Sequence, residues 1–311
     1  MKRPLMAFLA MFLMFSARAQ EDRWEFIVAH DNDFFAWYAN LDRYYTYGLG
    51  GTLRRLGKKE LSEDHVVKQL LPDFEHPIHE FSAQIKAYTP DSAKAGNATF
   101  DRPYAGYAYL EYKLNGQYRE NNVQLGINIG MVGPFVRAGQ FQNWFHKKVG
   151  DKYVSGWDYQ VANYPGIHVL GAFNKPLLSL SWFNIISESD LTAGNVFIHG
   201  QQSARLVIGR MAQVSESVLY GNRLRGARKT EYFLSIAGGV RLTAFNATVQ
   251  GSPFNDEVPT RNLNRIAGLV QFGAHVNIRR FAMALLITHG RGEVERAYDH
   301  KYGHVSVGFT F

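Results

Sequence analysis

The chain ends with the stretch Tyr302-Gly-His-Val-Ser-Val-Gly-Phe-Thr-Phe311. Apolar side chains occupy one set of alternate positions, namely Val305, Val307, Phe309 and Phe311. Polar side chains occupy the other set, namely His304, Ser306 and Thr310. This period of two predicts a β-strand with one apolar and one polar face. Such a strand is compatible with a soluble β-sandwich or with a membrane β-barrel.

The first residues have the layout of an export signal. Residues 1–19 begin with two basic residues, continue with the apolar stretch 5–15 and end with Ala17-Arg18-Ala19, a small-x-small cleavage site. This layout is typical of a secretory signal peptide. The alternative, a transmembrane anchor, needs a longer apolar run. We therefore expect residues 1–19 to be a signal peptide and residues 20–311 to be one exported domain.

The composition favours an all-β protein. The 311 residues include 14% aromatic and 20% charged side chains and 29 glycines. Few charges with many aromatics and glycines argue against a disordered chain or a helical bundle, and they suit a barrel with aromatic girdles. The chain has no cysteine, which excludes disulfides, thiolate zinc sites and cysteine nucleophiles. The net charge is +7, but no basic stripe is present, so we expect no nucleic-acid partner.

A last strand that ends on an aromatic residue at the chain terminus resembles that of bacterial outer-membrane barrels, where this end resembles an assembly signal. With the export signal, it predicts a transmembrane antiparallel β-barrel in the outer membrane of a Gram-negative bacterium. Twelve strand-like runs agree, because such single-chain barrels have an even number of strands. The runs lie at 24–30, 45–56, 80–88, 104–114, 122–133, 166–173, 177–186, 196–210, 231–247, 265–278, 281–290 and 302–311.

The connections follow from this strand count. Residues 174–176 and 279–280 fit short hairpin turns, and residues 187–195 form an outer connection. Residues 135–149 have helical spacing, which predicts a short helix in the third extracellular loop. Two of the periplasmic links, 57–79 and 211–230, are longer than is usual for such barrels.

Residues suited to chemistry collect at the outer end of the predicted barrel. They lie at 30–35, 42–48, 101–106 and 142–146. Taken singly, each group has a structural alternative: an Asx-rich turn, an aromatic belt, an Asp–Arg pair before a strand, or a polar face of the loop helix. Gln142 and His146 are four residues apart, so they share one helix face. The convergence of all four groups on one end favours a functional site.

These groups occur in an order that resembles a known family. The motifs are Asn32-Asp33, Asp42-Arg-Tyr-Tyr-Thr46, Tyr88-Thr-Pro90, Asp101-Arg-Pro-Tyr-Ala-Gly106, Val132-Gly-Pro134, Gln142-x-x-x-His146 and Gly156-Trp-Asp-x-Gln160. As an ordered set they are similar to the outer-membrane lipid A 3′-O-deacylase family (LpxR), most densely over residues 28–166. The resemblance implies a twelve-stranded barrel with a calcium-dependent esterase site between the barrel wall and the helix of an outer loop.

The resemblance also implies a substrate and site residues. The substrate is the lipid A part of lipopolysaccharide, from which the 3′-linked acyloxyacyl chain is released. By motif, the catalytic group is His146, Gln142 and Asn32, and the calcium ligands are Asp33, Thr46 and Asp151, which stands where the family has a glutamate. Lys94 falls near a family lysine.

The chemistry of the residue types agrees with ester hydrolysis. A histidine can act as a base on water, and a hard cation held by oxygen ligands can polarise a carbonyl. Asp33, Asn32 or Asp31, and a carbonyl near Thr46 are suitable oxygen donors. Zinc is disfavoured, because the chain has neither cysteine nor an H-E-x-x-H motif. Four cationic side chains are candidate partners for lipid A phosphates, namely Lys94, Arg102, Lys147 and Lys148.

Two rival functions stay open at this stage. One is a non-enzymatic barrel, a pore or scaffold, in which His146 is structural. The other is an outer-membrane phospholipase, although the chain lacks a G-x-S-x-G nucleophile elbow. We expect the protein to be a monomer in contact with outer-membrane lipid.

Overall fold

The chain forms a closed β-barrel in which each strand pairs antiparallel with its neighbours in sequence and β1 pairs with β12. A computed structural model describes residues 23–32, 44–63, 65–90, 102–151, 153–226, 229–254, 262–291, 293–295 and 299–311. Within these residues the twelve strands are β1 (Trp24–Asn32), β2 (Tyr44–Leu56), β3 (Phe74–Thr89), β4 (Ala105–Tyr118), β5 (Asn121–Val132), β6 (Tyr164–Ser179), β7 (Phe183–Gly194), β8 (Phe197–Arg210), β9 (Glu231–Asn246), β10 (Ile266–Ile278), β11 (Phe281–Gly290) and β12 (His300–Thr310). The predicted barrel and its strand number are confirmed, while the predicted signal peptide lies outside the described residues.

The helices are short. The α-helices are α1 (Val66–Leu70), α2 (Ala138–Val149) and α3 (Ala247–Gln250), and the 3-10 helices are Pro134–Val136, Gly156–Tyr159 and Val218–Tyr220. No helix among the described residues is long and apolar enough to cross a bilayer. The predicted helix in the third outer loop is confirmed as α2, preceded by a 3-10 turn.

The two ends of the barrel differ. The end that carries Trp24, Phe311 and the turns 119–120, 180–182 and 279–280 is called the turn end. The opposite end, called the loop end, carries the long connection 133–163, which contains α2.

The faces of the barrel are reversed relative to a soluble protein. On β9, Leu234 and Leu242 are 65% and 58% exposed on the outside, while Glu231 and Ser235 are buried. On β12, His304 and Ser306 line an interior cavity, and Val307 is on the exposed face. An apolar exterior around a polar interior suits a barrel surrounded by lipid, and this decides against the soluble sandwich.

The predicted turn at residues 174–176 is wrong. β6 continues to Ser179, and the chain reverses at residues 180–182, where the Leu180 N–H donates to the Phe183 carbonyl over 2.9 Å. The β6–β7 register shifts between Pro176 and Leu178. Proline lacks an N–H group and is tolerated at such a bulge, so Pro176 interrupts the ladder without ending the strand.

The predicted outer connection at residues 187–195 is also wrong. β7 extends through this polar stretch to Gly194. Glu188 is buried inside the barrel, where Arg205 donates to its two carboxylate oxygens over 2.6 Å and 3.2 Å. Polar side chains therefore mark the interior of this strand and not a loop.

The long link between β8 and β9 fills the turn end of the barrel, and residues 211–226 of it are called the plug. The Tyr220 hydroxyl donates to Glu188 over 2.8 Å, and the Tyr220 carbonyl accepts from Asn115 on β4 over 2.8 Å. Arg223 is 2% exposed and donates to Glu25 on β1 over 3.2 Å and to Asn277 on β10 over 2.6 Å. The plug thereby ties strands from several sides of the barrel together.

Replacing Glu25 by alanine is expected to destabilise the barrel by about 3–5 kcal/mol, since it leaves a buried guanidinium without its carboxylate. Glu25 is 1% exposed and pairs with Arg54 at 3.0 Å and with Arg223 at 3.2 Å. Arg54 keeps Glu80, whereas Arg223 loses the Glu25 carboxylate and keeps the Asn277 side-chain oxygen and the Arg279 carbonyl as acceptors. The loss is measured by urea unfolding of the protein in lipid vesicles. The folded fraction is the intensity of the heat-modifiable band, the gel band whose mobility changes when the barrel is unfolded by heating.

The control for this prediction is Arg119→Ala, which removes an exposed ion pair to Asp73 at 2.9 Å. Solvent and salt screen such surface pairs, so this variant should unfold almost as the wild type does. Equal shifts for the buried and the exposed pair would contradict the role of the plug.

Deletion of Phe311 is expected to lower the yield of folded barrel. The Phe311 N–H donates to the Trp24 carbonyl over 2.9 Å, and the Trp24 N–H donates to the Phe311 carbonyl over 3.1 Å, so the last residue helps to close the seam between β1 and β12. Each bond contributes about 1 kcal/mol net. The measurement is the heat-modifiable fraction in outer membranes, and Phe311→Ala, which keeps both backbone bonds, separates the seam from the ring. Normal insertion of the truncated chain would show that the terminal residue is dispensable.

Candidate active site

The candidate site lies on the outer face of the wall near the loop end, where α2 packs against the barrel. α2 contacts β3 and β4, and the Tyr47 hydroxyl on β2 donates to the Ala138 carbonyl over 2.9 Å. Tyr47, Ala87 and Tyr104 from the wall form one buried cluster with Ala138 and Trp157 from the loop. The loop helix is therefore packed against the outside of the barrel and does not enter its interior.

A glycine allows this close packing. Gly106 on β4 faces α2, and a Cβ atom there would lie 2.9 Å from the Ala138 Cβ and 3.3 Å from the Val136 Cβ. Any larger side chain would push the helix away from the wall. The glycine of the Asp101–Gly106 motif thus sets the distance between the helix and the barrel.

The sequence of α2 places two polar side chains on its buried face. Ala138, Gln142 and His146 are spaced by four residues, and all three are buried. Successive residues at this spacing lie on one side of a helix. The prediction that Gln142 and His146 share a helix face is confirmed, and the face is the one turned to the wall.

The orientation of the Gln142 amide is fixed by Trp157. The Trp157 Nε1–H donates to the Gln142 Oε1 over 2.7 Å. An indole nitrogen is only a donor, so the amide oxygen must face it. The Gln142 Nε2 is buried and has no hydrogen-bond partner among the described residues. Gln142 therefore offers an unused N–H donor inside the site.

His146 lies beside an acidic residue at the end of the same helix. Gly150 adopts a left-handed conformation (φ 79°) that ends α2, and the Asp151 N–H donates to the His146 carbonyl over 2.9 Å. The His146 Nε2 is 4.0 Å from the Asp151 Oδ2, and His146 is 8% exposed. The structure thus brings Asp151 close to His146.

Asn32 and Thr46 lie on the adjoining part of the wall. Asp31 faces the interior, where its carboxylate contacts His304 and Tyr45, so Asn32 faces outward by alternation. Asn32 pairs with Tyr47, the residue that contacts α2. Thr46 is the extra residue of a β-bulge between Tyr45 and Tyr47.

The bulge changes the hydrogen bonding of Thr46. The Thr46 side chain is buried, and its hydroxyl lies 2.6 Å from the Thr89 hydroxyl on β3. A bulge residue is left out of regular ladder pairing, which frees its backbone for other partners. Bulges are common next to active sites for this reason.

The predicted calcium ligands carry the type of donor atom that calcium prefers. Among the described residues no three His, Asp or Glu side chains gather closely enough to hold a metal. Thr46 and Asp151 supply hydroxyl, carbonyl and carboxylate oxygens, which Ca²⁺ prefers. The predicted ligand Asp33 lies outside the described residues, so the described part of the chain supplies only a portion of the set.

The two predicted substrate contacts are Lys94 and Arg102. Lys94 lies outside the described residues, so its role stays a prediction. Arg102 is 1% exposed, donates to the Thr248 hydroxyl over 2.7 Å, lies 3.5 Å from Glu293 and stacks over the Tyr88 ring. These contacts, to Thr248, Glu293 and Tyr88, are not with α2, so Arg102 is not part of the proposed site.

Two positioning residues were not found from the sequence. Trp157 orients Gln142, and Asn143 holds the segment after α2 by two hydrogen bonds to the Val154 backbone, of 3.0 Å and 2.8 Å. Trp157 belongs to one of the motifs that carry the family resemblance, but a tryptophan in a loop has no spacing signal that predicts a hydrogen bond to a distant glutamine.

The closed barrel with an apolar exterior and a loop helix on its wall defines an outer-membrane β-barrel protein. The family described as "Outer membrane protein LpxR" matches residues 5–311. The chain belongs to this family. No curated protein sequence matches the chain.

Solved structures show the same fold. LpxR from Salmonella typhimurium superimposes with a TM-score of 0.73 at 20% identity, over 92% of this chain and 100% of that chain. The translocator domain of the autotransporter NalP from Neisseria meningitidis has a TM-score of 0.43 at 8% identity, over 99% of this chain and 95% of that one. The transport unit of the autotransporter AIDA-I from Escherichia coli has a TM-score of 0.39 at 9% identity, over 97% and 94%. The first similarity supports the fold, and the other two are too weak to carry an argument.

Proposed function

We propose that the protein is a calcium-dependent ester hydrolase that removes the 3′-linked acyloxyacyl chain from lipid A. The proposal rests on membership of the LpxR family together with one observation. A histidine and a glutamine are buried between a loop helix and the outer face of the barrel wall. A site on the outer face of the wall adjoins membrane lipid, as an enzyme that acts on a lipid ester requires.

In the proposed mechanism His146 is the general base. It takes a proton from a water molecule whose oxygen forms a bond to the ester carbonyl carbon. The bond from that carbon to the sugar 3′ oxygen then breaks, and the imidazolium returns the proton to the leaving oxygen. The products are a free acyloxyacyl acid and a lipid A with a 3′ hydroxyl.

Gln142 stabilises the reacting carbonyl. Its buried Nε2–H group lacks a partner among the described residues, and Trp157 holds the amide in the orientation that keeps this donor available. A fixed donor aimed at the oxygen that gains charge lowers the barrier to attack. We expect Asn32 to orient the substrate or the water at the edge of the site.

The ligands we propose for the calcium ion are Asp33, Thr46 and Asp151. When bound, the ion would supply positive charge that stabilises the developing oxyanion.

The structure disfavours the pore among the rival functions. The plug fills the turn end of the barrel with buried hydrogen bonds, and an interior cavity of about 460 Å³ lies against it. A chain that conducted solutes would need this plug to leave the barrel. We expect the protein to act as a monomer, because one chain supplies all the proposed site residues.

The decisive experiment is the mass of lipid A before and after incubation of lipopolysaccharide with the purified protein and calcium. The expected result is loss of one acyloxyacyl chain and the appearance of the free acid. Unchanged lipid A mass with a folded protein would contradict the proposed function. Vesicles of phospholipid alone form the second arm, and release of fatty acid from them would favour the phospholipase instead.

A further inference from the structure

One side of α2 is apolar yet exposed. Phe141, Trp144 and Phe145 are 37%, 56% and 48% exposed, and we call them the apolar flank. Since an aromatic side chain presents about 150–250 Å², the three rings leave on the order of 300 Å² of apolar surface uncovered. Apolar patches of this size mark binding surfaces for protein or membrane.

The flank is distinct from the face that forms the proposed site. At 100° per residue, the apolar flank lies to one side of the buried face of Ala138, Gln142 and His146. The polar residues Gln140, Asn143 and Lys147 lie to the other side. The side of the helix that lies next to the buried face in one direction is therefore apolar, and the side that lies next to it in the other direction is polar.

The apolar flank is continuous with the lipid-facing surface of the barrel. The Phe141 ring contacts the Tyr47 ring with centroids 5.3 Å apart, and it contacts Trp144 at 5.8 Å. Further along β2, Leu49 is 40% exposed on the same outer face. The Phe141 ring of the helix thus packs, through Tyr47, on the same outer face of β2 on which Leu49 is exposed.

The charges at the end of α2 agree with this placement. Lys147 and Lys148 are exposed in its last turn. Helices that lie in a membrane interface combine an apolar face of Trp, Phe and Leu with basic side chains that reach anionic headgroups. The phosphates of lipid A provide such headgroups in an outer leaflet.

We propose that α2 is a membrane-interface helix whose apolar flank lies among the acyl chains of outer-leaflet lipid A. The ester of lipid A would then move laterally from the outer leaflet into the space between α2 and the wall, and its acyl chains would not pass through water. The part of this inference that concerns substrate entry rests on the proposed function, whereas the position of the helix in the membrane does not.

Site-directed labelling tests the position of the flank, because the chain has no native cysteine. Single cysteines at Phe145→Cys on the apolar flank and at Lys147→Cys on the polar flank carry a bimane fluorophore. The protein is placed in vesicles of lipopolysaccharide and phosphatidylethanolamine. An acyl-chain nitroxide should quench the label at 145 at least about 3-fold more than the label at 147, and aqueous iodide should show the reverse order.

Two results would overturn the inference. Equal iodide quenching at both positions would place the flank in water. Shielding of position 145 from both iodide and the lipid nitroxide would show that protein covers the flank. Neither result depends on enzymatic activity, so both are distinguishable from a failure of the proposed function.

Kinetics test the role of the flank in substrate entry. The double variant Trp144→Gln with Phe145→Gln should raise KM for lipid A in vesicles about tenfold while kcat stays within about twofold, because uniform binding is lost and the reacting groups are kept. The matched control is Trp182→Gln at the turn end, 61% exposed, which should leave KM unchanged. An unchanged KM in the double variant would overturn the entry role.

Discussion

Replacing His146 by alanine is expected to lower the turnover of lipid A by about 10²–10⁴-fold, the usual contribution of a positioned general base. His146 is buried against the wall beside Gln142, and Asp151 lies 4.0 Å from its Nε2. The measurement is the initial rate of free acyloxyacyl acid release at saturating substrate.

The fold of this variant should be intact. α2 lies on the outside of the wall, and the twelve strands close the barrel through their own ladder. The heat-modifiable band should therefore match that of the wild type. A well-assembled His146→Ala protein with near-normal activity would show that the base lies elsewhere.

Gln142→Ala is the companion variant and should reduce turnover less than His146→Ala does. It removes a donor to the carbonyl oxygen and leaves the base in place. Loss of a single such donor costs about 10²–10³-fold when it is the main oxyanion contact, and less when a cation shares that role. A larger loss for Gln142→Ala than for His146→Ala would exchange the roles of the two residues.

The fold could be predicted because its main determinant is local. In a barrel each strand alternates between lipid and interior, so the period of two is visible in the sequence of every strand. The last strand shows it clearly, and its predicted start at residue 302 differs from the observed start at His300 by two residues. The helix in the third outer loop was visible for the same reason, since its spacing of 3.6 differs from that of its surroundings.

The fold was predicted wrongly where polar residues or proline fit two structures, a connection between strands or a position within a strand of the barrel. Glu188 and Asp190 look like a loop, but they belong to β7, and Glu188 is paired inside the barrel with Arg205. Pro176 looks like a turn but lies at a bulge. The plug could not be predicted, because Arg223 pairs with Glu25, which is 198 residues away in the sequence.

The site was predictable only in part. The spacing of Gln142 and His146 places them on one helix face, and the structure confirms this relation. It does not reveal which face meets the wall, since that depends on the long-range contact of Gly106 with Ala138. The Arg102 motif was conspicuous in the sequence, yet its guanidinium is held by Thr248 and Glu293.

Removing calcium is expected to abolish hydrolysis and leave the barrel folded. Thr46 and Asp151 lie near the loop end, whereas the plug is held by hydrogen bonds and ion pairs at the turn end and the strands close through their own ladder. Excess chelator should therefore stop acid release without changing the heat-modifiable band, and added calcium should restore the rate.

Asp151→Asn gives the matched substitution for this prediction. It keeps the shape of the side chain and the backbone bond to His146 but removes the carboxylate charge that a hard cation prefers. The calcium concentration for half-maximal rate should rise at least about tenfold, because ligand charge tunes the affinity of such sites. Asp158→Asn, in the 3-10 helix that follows, removes an acidic charge from the same loop outside the proposed ligand set, and it should leave the calcium requirement unchanged. Full activity in excess chelator would remove the metal from the mechanism.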